Sequence, residues 1–263
     1  MIVLHFASIL LGVAFAAVAG AAQADIKTQW VEYTYGGAQL KGYLAYDDAI
    51  TGRRPGVLMV HRRDGMSALT LKNTEMYAKL GYVAFAPDIY GYGQGVLPKD
   101  IPEMQTLQAQ YEKDRSVTLG RAQAGLHVLT SNPLVDASKV ALVGYCMGGA
   151  IGIELAYAGA SLVGVVAIHG SFLRQPPDKV KNVKGKVLIL HGAEDVPVPI
   201  PAVNALIEDL RAAKVNFRYE LYSGTGHGFS VPKNDDEERA NIQSMISAER
   251  FLNEVLGAEA AAR

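Results

Sequence analysis

Short, almost wholly apolar runs alternate along this chain with longer stretches whose apolar residues recur every three or four positions. Residues 56–61 (G-V-L-M-V-H), 82–86, 139–145, 162–169 and 186–191 are of the first kind, as expected of strands buried on both faces. Residues 217–222 continue the series as a further strand, and Pro87 stops the run at 82–86. Ahead of them, residues 29–35 and 39–46 read as two strands of a hairpin joined through Gly36 and Gly37. Helical spacing appears at residues 71–80, ended by Gly81, and at 147–157. Val203, Leu206, Ile207 and Leu210 mark an amphipathic helix, and Ile242, Met245, Ile246, Leu252, Val255 and Leu256 the apolar stripe of a last one. Residues 101–130 are mostly polar with helical spacing and are expected as surface helix.

Strands alternating with helices predict an α/β fold, a mostly parallel sheet with helices on both faces. In such folds ligands bind outside the carboxyl ends of the strands. That rule singles out His61-Arg62-Arg63-Asp64, Asp88, Cys146, His169, Asp195 and His227. There is no internal repeat, linker or low-complexity region beyond the alanine-rich last residues, so residues 25–263 read as one domain.

The start of the chain reads differently. Residues 6–18 are apolar and small, and no charge appears before Asp25. Such a run is too short to span a bilayer but suits the core of a secretory signal. Ala22-Gln23-Ala24 supplies small residues at both recognition positions of a cleavage site, although the run is preceded by His5 and by no Lys or Arg. Residues 1–24 are therefore expected to be a signal peptide, and the mature protein exported, periplasmic or secreted, with no membrane span after cleavage.

Charge and cysteine content narrow the chemistry. Lys plus Arg number 25 and Asp plus Glu 26, a formal net charge of −1, which argues against a nucleic-acid partner. The single cysteine excludes an intrachain disulfide even in an oxidising compartment. No P-loop, H-E-x-x-H or paired-cysteine spacing is present, so neither nucleotide nor structural zinc is implied and no cofactor is expected. The run Gly91-Tyr92-Gly93-Gln94-Gly95 lacks the following helix that a dinucleotide loop needs and leads instead to Pro98.

Gly144-Tyr145-Cys146-Met147-Gly148-Gly149 lies where a strand turns into a helix, the G-x-nucleophile-x-G elbow with Cys for the usual Ser. The glycines have a mechanical reason: the turn strains the nucleophile's backbone and brings the residues two before and two after it together. It also sets the sulfur at a helix N-terminus, which favours thiolate, and aims the Met147 N–H at a forming oxyanion. Alone, a single cysteine is more often a small buried hydrophobe; here its partners weigh against that. Asp195 follows the strand at 186–191 and His227 lies in the glycine-rich loop after 217–222, giving the order nucleophile, acid, histidine. Glu194 is the rival acid. His5 falls in the signal, His127 on the polar helix, and His61, His169 and His191 at strand ends, where a satisfied structural imidazole is the plainer role.

Together these motifs resemble the dienelactone hydrolase family. The resemblance runs from about residue 57 to 256 and rests on residues 56–61, the run G-Y-V-A-F-A-P-D-I-Y-G at 81–91, residues 144–149, H-G-A-E-D-V-P-V-P at 191–199 and G-H-G-F at 226–229. It implies an α/β-hydrolase fold, no metal, and hydrolysis of a small ester or lactone by a Cys146–His227–Asp195 triad through an acyl-thiol intermediate. It also implies an oxyanion hole from the backbone N–H groups of Met147 and Arg63. Two departures stand out. Many members carry H-E-W-W-G where this chain has H-R-R-D-G, so Arg62 replaces a carboxylate that takes part in activating the thiol. Arg62 then either stabilises thiolate directly or points to solvent, and Asp64 is a candidate substitute. The arginines that pair with the founding substrate's carboxylate fall near Tyr92 and Val231 here. Either Arg62, Arg63 or Lys233 meets an anionic substrate, or the substrate is neutral with Tyr90 and Tyr92 along its pocket, unless these are ordinary packing aromatics. The rival reading is a non-catalytic exported binding or sensing protein on a degenerate scaffold, suggested by the lost carboxylate. A thioesterase, acyltransferase or cysteine peptidase is the alternative within the enzymes. Nothing in the sequence fixes an oligomeric state.

Overall fold

The computed structural model describes residues 25–172 and 176–257. The proposed signal at 1–24 lies outside the described residues. Eight strands form one sheet: β1 (Ile26–Tyr35), β2 (Ala38–Asp47), β3 (Arg54–Val60), β4 (Val83–Ala86), β5 (Val135–Tyr145), β6 (Gly164–Ile168), β7 (Lys186–Gly192) and β8 (Phe217–Tyr222). Their spatial order is β1-β2-β4-β3-β5-β6-β7-β8. The β1–β2 hairpin turns through Gly36 and Gly37, both at positive φ, the conformation glycine adopts without a Cβ penalty. β2 also pairs antiparallel with β4, and every later pairing is parallel.

Among the described residues seven α-helices connect or follow these strands: α1 (Ala68–Lys79), α2 (Ile101–Lys113), α3 (Arg115–Thr130), α4 (Met147–Tyr157), α5 (Pro177–Val180), α6 (Ile200–Ala212) and α7 (Asp235–Leu256). Strand alternation divides the core into two layers. On β5, Val140 and Leu142 face one side with Leu126 and Leu129 of α3, Ile151 of α4 and Leu206 of α6. Ala141 and Val143 face the other with Tyr77 of α1 and Phe251 and Leu252 of α7. Both faces of the central strands are thus covered, which is why they read as nearly continuous apolar runs. No helix of the described residues is long and apolar enough to cross a membrane.

Two helical expectations need correction. Residues 101–130 are two helices, broken at Asp114, which closes α2 and caps α3 by accepting from the Val117 N–H. An aspartate that serves the backbone in this way competes with helix continuation. Nor is α3 a surface helix throughout, since Ala122, Leu126 and Leu129 are buried. In α7 the stripe divides: Leu252 and Leu256 are buried and Val255 packs against the core, while Ile242, Met245 and Ile246 are exposed. Ala240, Ser244 and Ala248 take the inward positions there, small residues that let the helix lie close to its neighbours.

The strand order also places the site. From β3 the chain crosses to β4 on one side and later returns to β5 on the other, so the crevice between the ends of β3 and β5 is a topological switch point. Residues 61–64 follow β3, and Cys146 follows β5.

Candidate active site

Cys146 sits between β5 and α4 with φ 52° and ψ −117°, a backbone conformation that L-residues adopt only when their surroundings over-determine it. Those surroundings are backbone. A Cβ on Gly144 would collide with the Gly148 carbonyl, and one on Gly148 with the carbonyls of Val60 and His61. The start of α4 therefore abuts both the elbow and the end of β3. The Cys146 N–H donates to Ile168 O at 3.0 Å, and its carbonyl accepts from Gly149 N at 3.0 Å, fixing the turn from both ends.

The structure brings Cys146, His227 and Asp195 into one line. His227 Nε2 lies 3.2 Å from the sulfur, and His227 Nδ1–H donates to Asp195 Oδ2 at 2.8 Å. Asp195 is buried, and its Oδ1 accepts from the Val198 N–H at 2.9 Å, so its direction does not depend on His227. Glu194, the rival acid, is exposed. Burial alone would lower the His227 pKa, but the hydrogen bonds and charges of Asp195 and Cys146 outweigh it and raise it to about 9. His191, whose Nε2 lies 3.8 Å from that carboxylate, is held neutral chiefly by burial, and its Nε2–H donates to Val198 O at 2.8 Å. It braces the loop that carries Asp195.

His169, expected as a structural imidazole at a strand end, packs directly against the base. It follows β6 at φ 40° and is fully buried. Its ring meets those of His227 and Phe229 edge-on, each at 5.2 Å between centroids. Its Nε2 is 2.8 Å from Ser230 Oγ, on the loop that carries His227. Burial, with His227 and Arg62 nearby, pushes its pKa well below the ordinary value, so a neutral ring supports the base. Its place after a buried strand was the available signal. Cys146, His169 and His227 offer one sulfur and two ring nitrogens, all within 4.8 Å of one another, donors of the kind that suit a soft divalent cation.

The other predicted residues are distributed as follows. Arg62 does not extend into solvent; it is about one-fifth exposed and pairs with Asp64 at 2.8 Å. Asp64 also accepts from Ser67 Oγ at 2.7 Å. Burial works against its charge, but Arg62 and Ser67 outweigh that and keep its pKa below the ordinary value. Its Oδ2 is thus committed to Arg62 and Ser67. Tyr90 is buried, with its hydroxyl 3.4 Å from Met147 Sδ, and offers a substrate little surface. Tyr92 stacks on Trp30 at 4.8 Å. Among the described residues, the N–H groups of Arg63 and Met147 donate to no backbone carbonyl. The Gly91–Gly95 run forms a short 3-10 turn gathered by buried Asp88, which accepts from the N–H groups of Lys41, Gly91 and Gly93.

The chain is similar to known proteins over most of its length. The dienelactone hydrolase family matches residues 40–256. A protein of Synechocystis sp. described as a putative carboxymethylenebutenolidase is 31% identical over 248 residues, covering 86% of this chain and 94% of that one. The carboxymethylenebutenolidase of Pseudomonas putida is 26% identical over 180 residues, covering 67% and 75%. Among solved structures, one titled m3DLH superposes with a TM-score of 0.82 at 30% identity, covering 88% of this chain and 99% of that one. A dienelactone hydrolase-like promiscuous phosphotriesterase from metagenomic libraries gives the same TM-score and coverage at 29% identity.

Proposed function

We propose, from the premise that this chain belongs to the dienelactone hydrolase family, that it hydrolyses small carboxylic esters or lactones with Cys146 as nucleophile, His227 as acid and base, and Asp195 as the group that orients the imidazole. The observation that carries this reading is the continuous relay from Asp195 Oδ2 through His227 to the Cys146 sulfur, at 2.8 and 3.2 Å. Both distances are within reach of proton transfer.

The reaction follows from the parts. His227 takes the Cys146 thiol proton, the sulfur attacks the acyl carbon, and the carbonyl π pair moves to oxygen, where the N–H groups of Met147 and Arg63 receive it. As the tetrahedral centre collapses, the C–O bond to the leaving group breaks and the imidazolium gives that oxygen its proton. An acyl-thiol remains. Two of the influences that raise the His227 pKa come from Cys146, and acylation removes the charge from sulfur. The imidazole then falls back toward its ordinary range and becomes a base for water. Water's oxygen attaches to the acyl carbon, its proton passes to His227, and the C–S bond breaks to return the sulfur beside an imidazolium.

Arg62 supports an extension of this reading. Held by Asp64 and a little exposed, it is the cation this reading assigns to an anionic group on the substrate. Export belongs to the same proposal, supported by the apolar run at 6–18 and the Ala22-Gln23-Ala24 site; recovery of protein beginning at Asp25 from the extracytoplasmic fraction tests it.

p-Nitrophenyl acetate turnover tests the triad. Cys146→Ala and His227→Ala are each expected to lose at least ~10³-fold in kcat, in line with removal of a triad member. Retained turnover in Cys146→Ala overturns the nucleophile, and absence of turnover in the wild-type protein leaves the non-catalytic binding reading instead.

A further inference from the structure

His61 follows the last residue of β3 and is almost completely buried. Its surroundings decide where its single ring proton sits. The Ile89 N–H reaches His61 Nε2 at 3.3 Å, and a donor aimed at Nε2 requires a lone pair there. Burial pushes the imidazole below its ordinary pKa, so the ring is neutral and its proton is on Nδ1. Nδ1–H then donates to the carbonyl oxygen of Arg62 at 2.6 Å. The Gly65 N–H donates to the same oxygen at 3.2 Å. Both lone pairs of that carbonyl are engaged.

A trans peptide is planar, with its N–H antiparallel to its C=O. Whatever fixes the Arg62 carbonyl therefore fixes the Arg63 N–H, which points away from His61 and Gly65. The same ring has a second link to the site. His61 meets Tyr90 edge-on at 5.2 Å, and Tyr90 reaches Met147 Sδ at 3.4 Å. The His61 carbonyl itself lies 2.8 Å from where a Cβ of Gly148 would stand, so the end of β3 and the start of α4 are set against each other backbone to backbone.

We propose that His61 is a positioning residue for the oxyanion hole: by holding the Arg62 carbonyl it keeps the Arg63 N–H aimed at the developing oxyanion. This rests on the reading of Met147 and Arg63 as the oxyanion donors. A donor that had to rotate into place during the reaction would lose the advantage of preorganisation. His61 touches no reacting atom and acts only through the peptide it holds.

The test separates chemistry that builds an oxyanion from chemistry that does not. Ester hydrolysis passes through a tetrahedral oxyanion, whereas alkylation of Cys146 by iodoacetamide is a displacement at carbon that forms none. His61→Leu is expected to lower kcat on p-nitrophenyl acetate by about 10- to 100-fold, less than outright removal of an oxyanion donor, with KM little changed. Its rate of alkylation is expected to stay within ~2-fold of wild type, because the Cys146–His227 pair is untouched. His61→Gln keeps an amide donor and is expected to recover most of the loss. Nitrogen NMR of the wild-type protein reads the tautomer directly and does not depend on any variant folding; the expected form carries its proton on Nδ1.

A proton on Nε2 overturns the proposal, as does full kcat in His61→Leu. A parallel fall in turnover and alkylation also overturns it, since that marks general disruption. If wild-type protein turns over no ester, the hydrolase reading itself fails and the positioning role goes with it. Normal wild-type turnover with an indifferent His61→Leu removes the positioning role alone.

Discussion

Burial alone would lower the His227 pKa, yet Asp195 at 2.8 Å and the sulfur at 3.2 Å raise it to about 9. Below that value the ring is an imidazolium, able to give its proton to a leaving alkoxide; above it, that proton is gone. Alkyl esters, whose leaving groups need protonation, are therefore expected to be acylated more slowly as pH rises through about 9. p-Nitrophenyl esters, whose leaving group departs as an anion, are expected to lack this alkaline limb. Single-turnover acylation of matched ethyl and p-nitrophenyl esters across the alkaline range measures the difference, and coincident profiles count against His227 as the acid. At this scale Cys146, Asp195 and His227 were legible because each carries a local signature: the glycines of the elbow, and the positions just past strands. His61 and His169 follow strands too, but their contributions depend on ring contacts and carbonyls brought together through space. The chain around them looks the same whether a histidine merely fills a core or braces a catalytic one. Arg62 was likewise undecidable from its neighbours alone, because only the folded turn sets it on Asp64 at 2.8 Å.

Among the elements, α7 illustrates how periodicity finds a helix but not the boundary of its buried face. Apolar residues recur along it at helical spacing, yet Ile242, Met245 and Ile246 are exposed while Phe251 and Leu252 are buried. The side that packs on the sheet is chosen by fit: Gly164 of β6 leaves the space that the Phe251 ring fills, and a Cβ there would approach the ring to 2.9 Å. Phe251→Ala is therefore expected to cost about 3–5 kcal/mol, as buried aromatics do when truncated. Ile246→Ala is expected to stay within about 0.5 kcal/mol, as for a surface position. Urea unfolding of the two variants gives the comparison, and a cost for Ile246→Ala as large as for Phe251→Ala would place the buried face wrongly. The same limit explains α2 and α3. A run of helical spacing at 101–130 says nothing of the break at Asp114, where one carboxylate caps the Val117 N–H.

For the molecule as a whole, the alternation of strands and helices announced a mostly parallel sheet, but not the order β1-β2-β4-β3-β5-β6-β7-β8. Burial on both faces makes the central strands alike in composition, so their neighbours cannot be told from their own residues. That order nevertheless decides where chemistry happens, because it opens the crevice beside β3 into which Cys146 and the 61–64 turn both project from adjacent strand ends. The fold is held around this crevice by two apolar layers with no covalent cross-link, since a single cysteine cannot form an intrachain disulfide. Redox conditions should then act on function and leave stability aside. Brief exposure to peroxide is expected to abolish ester turnover by converting the Cys146 thiol to sulfenic acid, and dithiothreitol to restore it, while longer exposure passes to sulfinic acid and is not reversed. The unfolding temperature is expected to stay within ~1 °C with and without reductant, because no chain cross-link constrains the unfolded state. Activity and thermal unfolding followed on the same oxidised and re-reduced samples provide the test. In protein not treated with peroxide, a reductant-dependent unfolding temperature would mean that Cys146 joins two chains, which its burial at 7% exposure argues against, and the elbow would then have to open before it could serve as a nucleophile.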